Sequence, residues 1–335
     1  MMKIAVDAMG GDNAPQVIVE GIEKARDEWT DLEFVLYGDE TKIKEYLKDD
    51  KRIKIVNTDE EILGTDEPVK AIRSKKNSSM VLAAKSVKNK EADAMLSLGN
   101  TGALLAAGIF IVGRIKQVSR PALMPTLPVT NSSLGVNVLD VGANAEAKAT
   151  YLQQWAIMGS IYAHDIKQIE EPRVALLNNG TESDKGDPLH KEAYDLLKNT
   201  EGINFIGNVE SNDILAGVAD VIVTDGFTGN AALKATEGTA TILLSQLKNA
   251  LLNNGFFTKM GAAIVAPSLK SLKDMFDTSK AGGAVLLGLK SPVVKAHGAA
   301  DAKTVFYTVK QIYGMLLNDT INKSNKYFEQ MEEKK

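Results

Sequence analysis

Four times along this chain a short apolar run stops at a turn rich in glycine, asparagine and aspartate, then gives way to a helix-forming stretch. Lys3–Asp7 leads into Met9-Gly-Gly-Asp-Asn13, and Ala94–Leu98 into Gly99-Asn-Thr-Gly102. Val136–Leu139 leads into Asp140-Val-Gly-Ala-Asn144, and Val221–Thr224 into Asp225-Gly-Phe-Thr-Gly-Asn230. Strands alternating with helices in this way predict an α/β protein, with a mostly parallel sheet between helical layers. The turns that follow parallel strands collect on one edge of the sheet, where α/β ligands bind. Glycine there lets a ligand approach the backbone, and helix N-termini leave N–H groups free for an anion. One such loop reads equally well as a tight turn with an N-cap. Four on one edge predict an anion site.

Further strands are expected at Leu32–Tyr37, Ile53–Val56 and Val174–Leu177, and the stretch Pro292–Val294 is strand-like. Helices are expected over Ala14–Trp29, Pro68–Lys76, Ser78–Asn89, Ala145–Ala163, Ala231–Leu252 and 301–318. The helices at 145–163 and 231–252 suit either an interface or burial within one subunit. Pro121–Pro128 reads as an edge strand or a crossover, because proline lacks the donor that a central strand needs. No linker interrupts the pattern, so residues 1–335 are read as one α/β catalytic unit, with an apolar helical segment protruding at about 250–275. Gly102–Gly113 is apolar but shorter than the roughly 20 residues a bilayer span needs, and reads as a buried helix.

Composition narrows the function. Lysine and arginine total 39 against 43 acids, a net charge of −4, so no nucleic-acid partner is expected. There is no cysteine, which removes thiol nucleophiles, disulfides and cysteine-bound metals. With no targeting segment in view, a cytoplasmic protein is expected. Standard nucleotide fingerprints are missing. Gly180-Thr-Glu-Ser-Asp-Lys185-Gly186 resembles a phosphate loop in flavour but not in spacing, with Lys185 as a point charge. His164 reads as a surface or capping residue. His190 with Asp195 has an H-x4-D spacing that would sit on different helix faces. His297, on a strand-end turn before Gly298, is better placed for chemistry. No metal or cofactor is expected, and Asp7, Asp12, Asp140 and Asp225 are the one set through which Mg²⁺ could enter. Between Pro68 and Lys90 the charges are Lys70, Arg73, Lys75, Lys76, Lys85, Lys88 and Lys90, with no acid. Such an island suits an acidic partner or a solvated helix face. Leu251–Leu272 carries Phe256, Phe257, Met260, Ile264, Val265 and Leu269 among few charges. It suits core packing, a dimer contact or an interfacial helix.

Several ordered motifs resemble the bacterial phosphate acyltransferase family, the acyl-ACP:phosphate acyltransferases. They are Asp7-Ala-Met-Gly-Gly-Asp12, Gly99-Asn-Thr-Gly-Ala103, Arg120-Pro-Ala-Leu123, Asp140-Val-Gly-Ala-Asn144, Asn179-Gly-Thr-Glu182 with Lys185-Gly186, Gly207-Asn-Val-Glu210, Asp225-Gly-Phe-Thr-Gly-Asn230 and His297-Gly298. The resemblance implies a three-layer α/β/α sandwich like isopropylmalate dehydrogenase and phosphotransacetylase, assembled as a homodimer. It implies acyl transfer from acyl-ACP to inorganic phosphate, an early step of phospholipid synthesis. The acyl-phosphate would pass to a membrane glycerol-phosphate acyltransferase. It also implies a soluble protein bound peripherally to the membrane through an apolar tip, here Phe256, Phe257, Met260 and Ile264.

On these positions, loop chemistry suggests roles. Backbone N–H groups of Gly10, Gly11, Gly99 and Gly102, with Asn100, Thr101 and Lys185, would hold phosphate; Asp12 and Thr228 line the same turns. Asn144 or Asn230 would donate to the oxyanion, and His297 would orient phosphate or protonate the leaving sulfur. Asp225 would orient Lys185 or His297. Lys75, Lys76 and Lys88 are the expected contact for acidic ACP. Three rivals remain: a phosphate acetyltransferase, a decarboxylating dehydrogenase on the same scaffold, and a non-catalytic phosphate- or acyl-binding protein.

Overall fold

The computed structural model describes residues 1–252 and 278–333 and, between them, residues 255, 260–262, 264, 265 and 267. Its strands are β1 (Met2–Asp7), β2 (Leu32–Gly38), β3 (Ile53–Asn57), β4 (Ala94–Ser97), β5 (Ala122–Met124), β6 (Thr126–Val129), β7 (Ser132–Leu139), β8 (Arg173–Leu177), β9 (Asn204–Val209), β10 (Val221–Val223), β11 (Ala284–Leu287) and β12 (Val293–Lys295). The helices used below are α1 (Gln16–Glu28), α2 (Glu40–Tyr46), α3 (Pro68–Ser74), α4 (Ser79–Lys88), α5 (Thr101–Ala107), α6 (Ala149–Lys167), α7 (Pro188–Lys198), α8 (Gly226–Leu252), α9 (Ala302–Leu317) and α10 (Thr320–Glu333).

Two sheets form, ordered β3-β2-β1-β4-β12-β11-β5 and β6-β7-β10-β8-β9. In the first, only β11 runs antiparallel to its neighbours. In the second, β6 is the antiparallel edge. Helices cover both faces, so the central strands are buried throughout, as parallel sheets require. Ile4, Ala5 and Val6 of β1 and Val221, Ile222 and Val223 of β10 are fully buried. Helix starts follow local chemistry. Asp39, Glu67, Asp187 and Asp301 accept backbone N–H bonds at the starts of α2, α3, α7 and α9, and Pro68 and Pro188 occupy first turns.

The expectation of one loop-bearing edge is corrected here. The turns after β1 and β4 belong to the seven-stranded sheet, and those after β7 and β10 to the five-stranded one. The antiparallel β11 and the proline-interrupted stretch β5–β6 divide the parallel array. Pro121–Pro128 is both an edge and a crossover: β5 pairs with β11, and β6 pairs with β7. Ala284 pairs with Lys295 and Val285 with Met124, which sets the end of β12 level with Pro125. β7 returns antiparallel, with Val138 N–H bonded to Pro125 O and Val141 N–H to Leu123 O. The C-terminal edges of the two sheets therefore reach the same crossover from opposite directions.

The two helices left open between interface and core separate clearly. α6 is core, with Trp155 and Tyr162 buried. α8 leaves Phe227, Ile242, Leu243 and Leu247 exposed, Ile242 at 63% and Leu243 at 64%. The expected helix after Asn100 forms and changes to a π-helical turn at Gly108–Val112, where all but Phe110 are at least half-buried.

Candidate active site

On the seven-stranded edge, Asp7, Ser97 and Lys295 stand side by side in register on β1, β4 and β12. All three are buried. The Asp7 carboxylate accepts Ser79 Oγ at 2.6 Å and Ser97 Oγ at 2.7 Å. Burial pushes its pKa up, against those bonds and the Met9 and Gly10 N–H groups. Lys295 Nζ donates to Leu98 O at 3.2 Å and to Ala296 O. Burial pulls its pKa down to about 8, against the attraction of Asp7 and Asp12.

Three turns abut beside this row. Asp12 N–H donates to Gly298 O at 2.8 Å, and Gly99 N–H to Ser97 Oγ at 3.0 Å. A methyl group on Gly10 would lie 2.5 Å from the Gly99 nitrogen, so only glycine permits this backbone-to-backbone approach. Gly11 has φ +108° and Asp12 is exposed. His297 is exposed, and its Nδ1 accepts Ala299 N–H at 3.2 Å, a contact that assigns the ring proton of the neutral form to Nε2. The Asn100 side chain is committed locally: Oδ1 caps α5 at Ala103 N–H, and Nδ2 donates to Leu63 O, Gly64 O and Asp66 O. Thr101 is exposed at the start of α5, and Gly102 lies under Pro68.

On the five-stranded edge, Asp140 is the organising carboxylate. It accepts the N–H groups of Leu123, Ala143 and Asn144 and the Asn144 side-chain amide. Burial raises its pKa against all four bonds. Asn144 Nδ2 also reaches Pro121 O at 2.8 Å, tying this turn to the crossover. The start of α8 presses on the same turn. Methyl groups on Gly226 and Gly229 would lie 2.2 Å from Asn144 O and 2.0 Å from Asp140 O. Asp225 caps α8 by accepting Thr228 N–H at 2.9 Å; its other expected partners, Lys185 and His297, are not among its described contacts. Asn230 is exposed beside Gly142. In the turn after β8, Asn178 Nδ2 donates to Lys185 O and Asn208 Oδ1, and Asn208 Nδ2 to Glu182 O. The exposed Lys185 side chain lies against Gly180.

Gly10, Gly11, Asp12, Asn100, Thr101, Gly102 and His297 thus gather on one edge, and Asn144, Lys185, Asp225, Thr228 and Asn230 on the other. The four aspartates divide the same way, two to each edge. Among the described residues no three of His, Asp and Glu cluster as metal ligands. Ser79, Ser97 and Lys295 were not foreseen. The available signal was Lys295 itself, a charge closing an apolar strand two residues before His297.

Outside the edges, His190 Nδ1 lies 2.7 Å from Asp187 Oδ1 at the start of α7, so its polar partner is the capping residue rather than Asp195. His164 is exposed beside Asp165 in the last turn of α6. The basic island is less uniform than its sequence suggests. Lys75 is paired with Asp66 at 2.5 Å, whereas Lys76 and Lys88 are exposed. Of the expected apolar tip, Met260 and Ile264 are exposed, and Phe256 and Phe257 lie outside the described residues. No described helix is long and apolar enough to cross a membrane.

A family model described as fatty acid synthesis protein matches residues 2–323. A phosphate acyltransferase of Latilactobacillus sakei is 61% identical, over 98% of this chain and 97% of that protein. One of Streptococcus sanguinis is 59% identical, over 97% of each. In fold, the chain is similar to a phosphotransacetylase from Streptococcus pyogenes, with a TM-score of 0.65, 18% identity and 94% of each chain covered. It is also similar to a branched-chain phosphotransacylase from Enterococcus faecalis, with a TM-score of 0.59, 14% identity, and 94% and 99% covered. These neighbours carry the three-layer α/β/α architecture. By its sequence this chain belongs to the fatty acid synthesis protein family, alongside the phosphate acyltransferases.

Proposed function

We propose that this chain moves a fatty acyl group from acyl-ACP to inorganic phosphate, giving acyl-phosphate for phospholipid synthesis. The observation that carries this reading is the pair of glycine-turn edges that reach the same crossover and leave His297 exposed on one and Lys185 and Asn230 on the other. Inorganic phosphate has a second pKa of roughly 6–7, so its dianion is already nucleophilic near neutral pH. It attacks the thioester carbonyl, and the electron pair of the broken C–S bond leaves on the carrier's thiolate. A thiol pKa of about 8.5 makes that thiolate a good leaving group. The work left for the protein is to position the reactants and stabilise the tetrahedral oxyanion.

The turns at Gly10–Gly11 and Gly99–Gly102 hold phosphate, with Thr101 and Lys185, while the Asn100 side chain fixes the shape of the second turn. The exposed Asn230 donates to the oxyanion, since both amide hydrogens of Asn144 are given to Asp140 and Pro121 O, and His297 Nε2 protonates the departing sulfur or orients the phosphate. The exposed Lys76 and Lys88 meet acidic ACP, while Lys75 already has a counter-charge in Asp66. The exposed apolar side chains of α8, with Met260 and Ile264, serve a second copy of the chain and a membrane surface, where a glycerol-phosphate acyltransferase consumes the product. The protein then works from the cytoplasm as one catalytic unit without a cofactor.

The test is to incubate the protein with long-chain acyl-ACP and phosphate and trap acyl-phosphate with hydroxylamine. Phosphate-dependent hydroxamate is expected. Hydroxamate only from acetyl-CoA, reduction of a nicotinamide cofactor, or no product with any donor would overturn the reading in favour of one of its rivals.

A further inference from the structure

A phosphate site bordered by two aspartates poses an electrostatic problem. Asp12 is exposed on the turn that carries Gly10 and Gly11, and Asp7 lies just beneath it. A carboxylate repels a dianion, and a single like-charge contact in a partly dry site costs several kcal/mol. Lys295 is the basic side chain buried in this row. Its ammonium has three N–H donors, two of them given to Leu98 O and Ala296 O, both backbone groups of the turns that form the site. A buried lysine is expensive unless its charge is needed. Hydrogen bonds to two neutral carbonyls do not require a full charge, but two nearby carboxyls do.

We propose that Lys295 is a positioning residue of the phosphate site, whose ammonium offsets Asp12 and Asp7 so that the glycine turns accept a dianion. This inference rests on the acyl-phosphate reading above for the identity of the anion. The charged groups acting on Lys295 are Asp7 from β1 and Asp12 from the following turn, with the neutral Ser97 beside it in register on β4. The ammonium predominates below about pH 8 and is lost as pH rises through that value. Phosphate, already a dianion there, does not change. Affinity for phosphate therefore falls on the alkaline side.

The experiment measures inorganic phosphate binding by calorimetry, and KM and kcat where turnover is seen, from pH 6.5 to 9.5. Wild type, Lys295→Arg, Lys295→Met and Lys295→Met/Asp12→Asn are compared. Lys295→Met is expected to weaken phosphate at least about 30-fold with the KM for acyl-ACP within threefold, and Asp12→Asn to restore at least a third of the loss in affinity on a logarithmic scale. Lys295→Arg, charged at every pH used, is expected to remove the alkaline decline. A decline unchanged in Lys295→Arg, or no rescue by Asp12→Asn, overturns the proposal. If Lys295→Met fails to fold, the arginine profile alone decides. Wild type that binds phosphate with this pH dependence but forms no acyl-phosphate would defeat the functional reading and leave the role of Lys295 standing.

Discussion

Asp7 carries two serine hydrogen bonds, yet burial still raises its pKa above the ordinary 3.8. The native state therefore holds a proton on Asp7 at pH values where the unfolded chain has already released it. Stability contributed by this group declines as pH rises from about 4 through the elevated native value. Asp7→Asn, which keeps an acceptor for one serine, is expected to flatten the decline by up to about 1.4 kcal/mol per pH unit. Urea unfolding of both proteins between pH 4 and 7 checks this, and parallel curves would refute it. At this scale the sequence was partly readable. Gly10, Gly11 and Asp140 announce themselves because turn chemistry is local. Ser97 and Lys295 do not, because their meaning arises from register between strands some 90–200 residues apart, and Ser79 does not, because it reaches Asp7 from a helix packed on the sheet; no spacing within one motif encodes either.

The elements were legible where hydrophobic runs were continuous. β1, β2, α1 and α4 form close to their expected bounds. α2, α7 and β9 were not foreseen, since they are short or half-exposed and their apolar residues are sparse. α8 shows the limit of composition, because an apolar helix reads alike whether covered or bare. Its N-terminal turn is the closely packed part, pressed on Asp140 through Gly226 and Gly229. Gly229→Ala would drive a methyl into the Asp140 carbonyl, and a loss on the order of 3 kcal/mol is expected in denaturant unfolding. A loss below about 0.5 kcal/mol, the range of ordinary surface substitutions, would show that the contact is loose. On α4 and the turn before it, Lys76→Glu with Lys88→Glu is expected to raise the KM for acyl-ACP about tenfold at low salt and leave that for phosphate unchanged. Lys75 is excluded, since reversal there would set like charges against Asp66. Equal effects on both substrates, or none on either, would move ACP docking elsewhere.

At the scale of the whole molecule, alternation of strand and helix revealed the α/β class and the motifs revealed the family. They did not reveal the split into two sheets. That division depends on the antiparallel β11 and on Pro125, where one extended stretch leaves the first sheet and enters the second. In the proposed reaction each edge contributes part of the donor set, and neither suffices alone. His297 belongs to one edge and Lys185 to the other. The decisive measurement is the initial rate of acyl-phosphate formation from acyl-ACP and phosphate for wild type, His297→Ala and Lys185→Ala. Each variant is predicted to lose about 100-fold or more in kcat/KM for phosphate, the usual effect of removing one group that stabilises a transition state. An active wild type with either variant within twofold of it would contradict a reaction shared between the two edges.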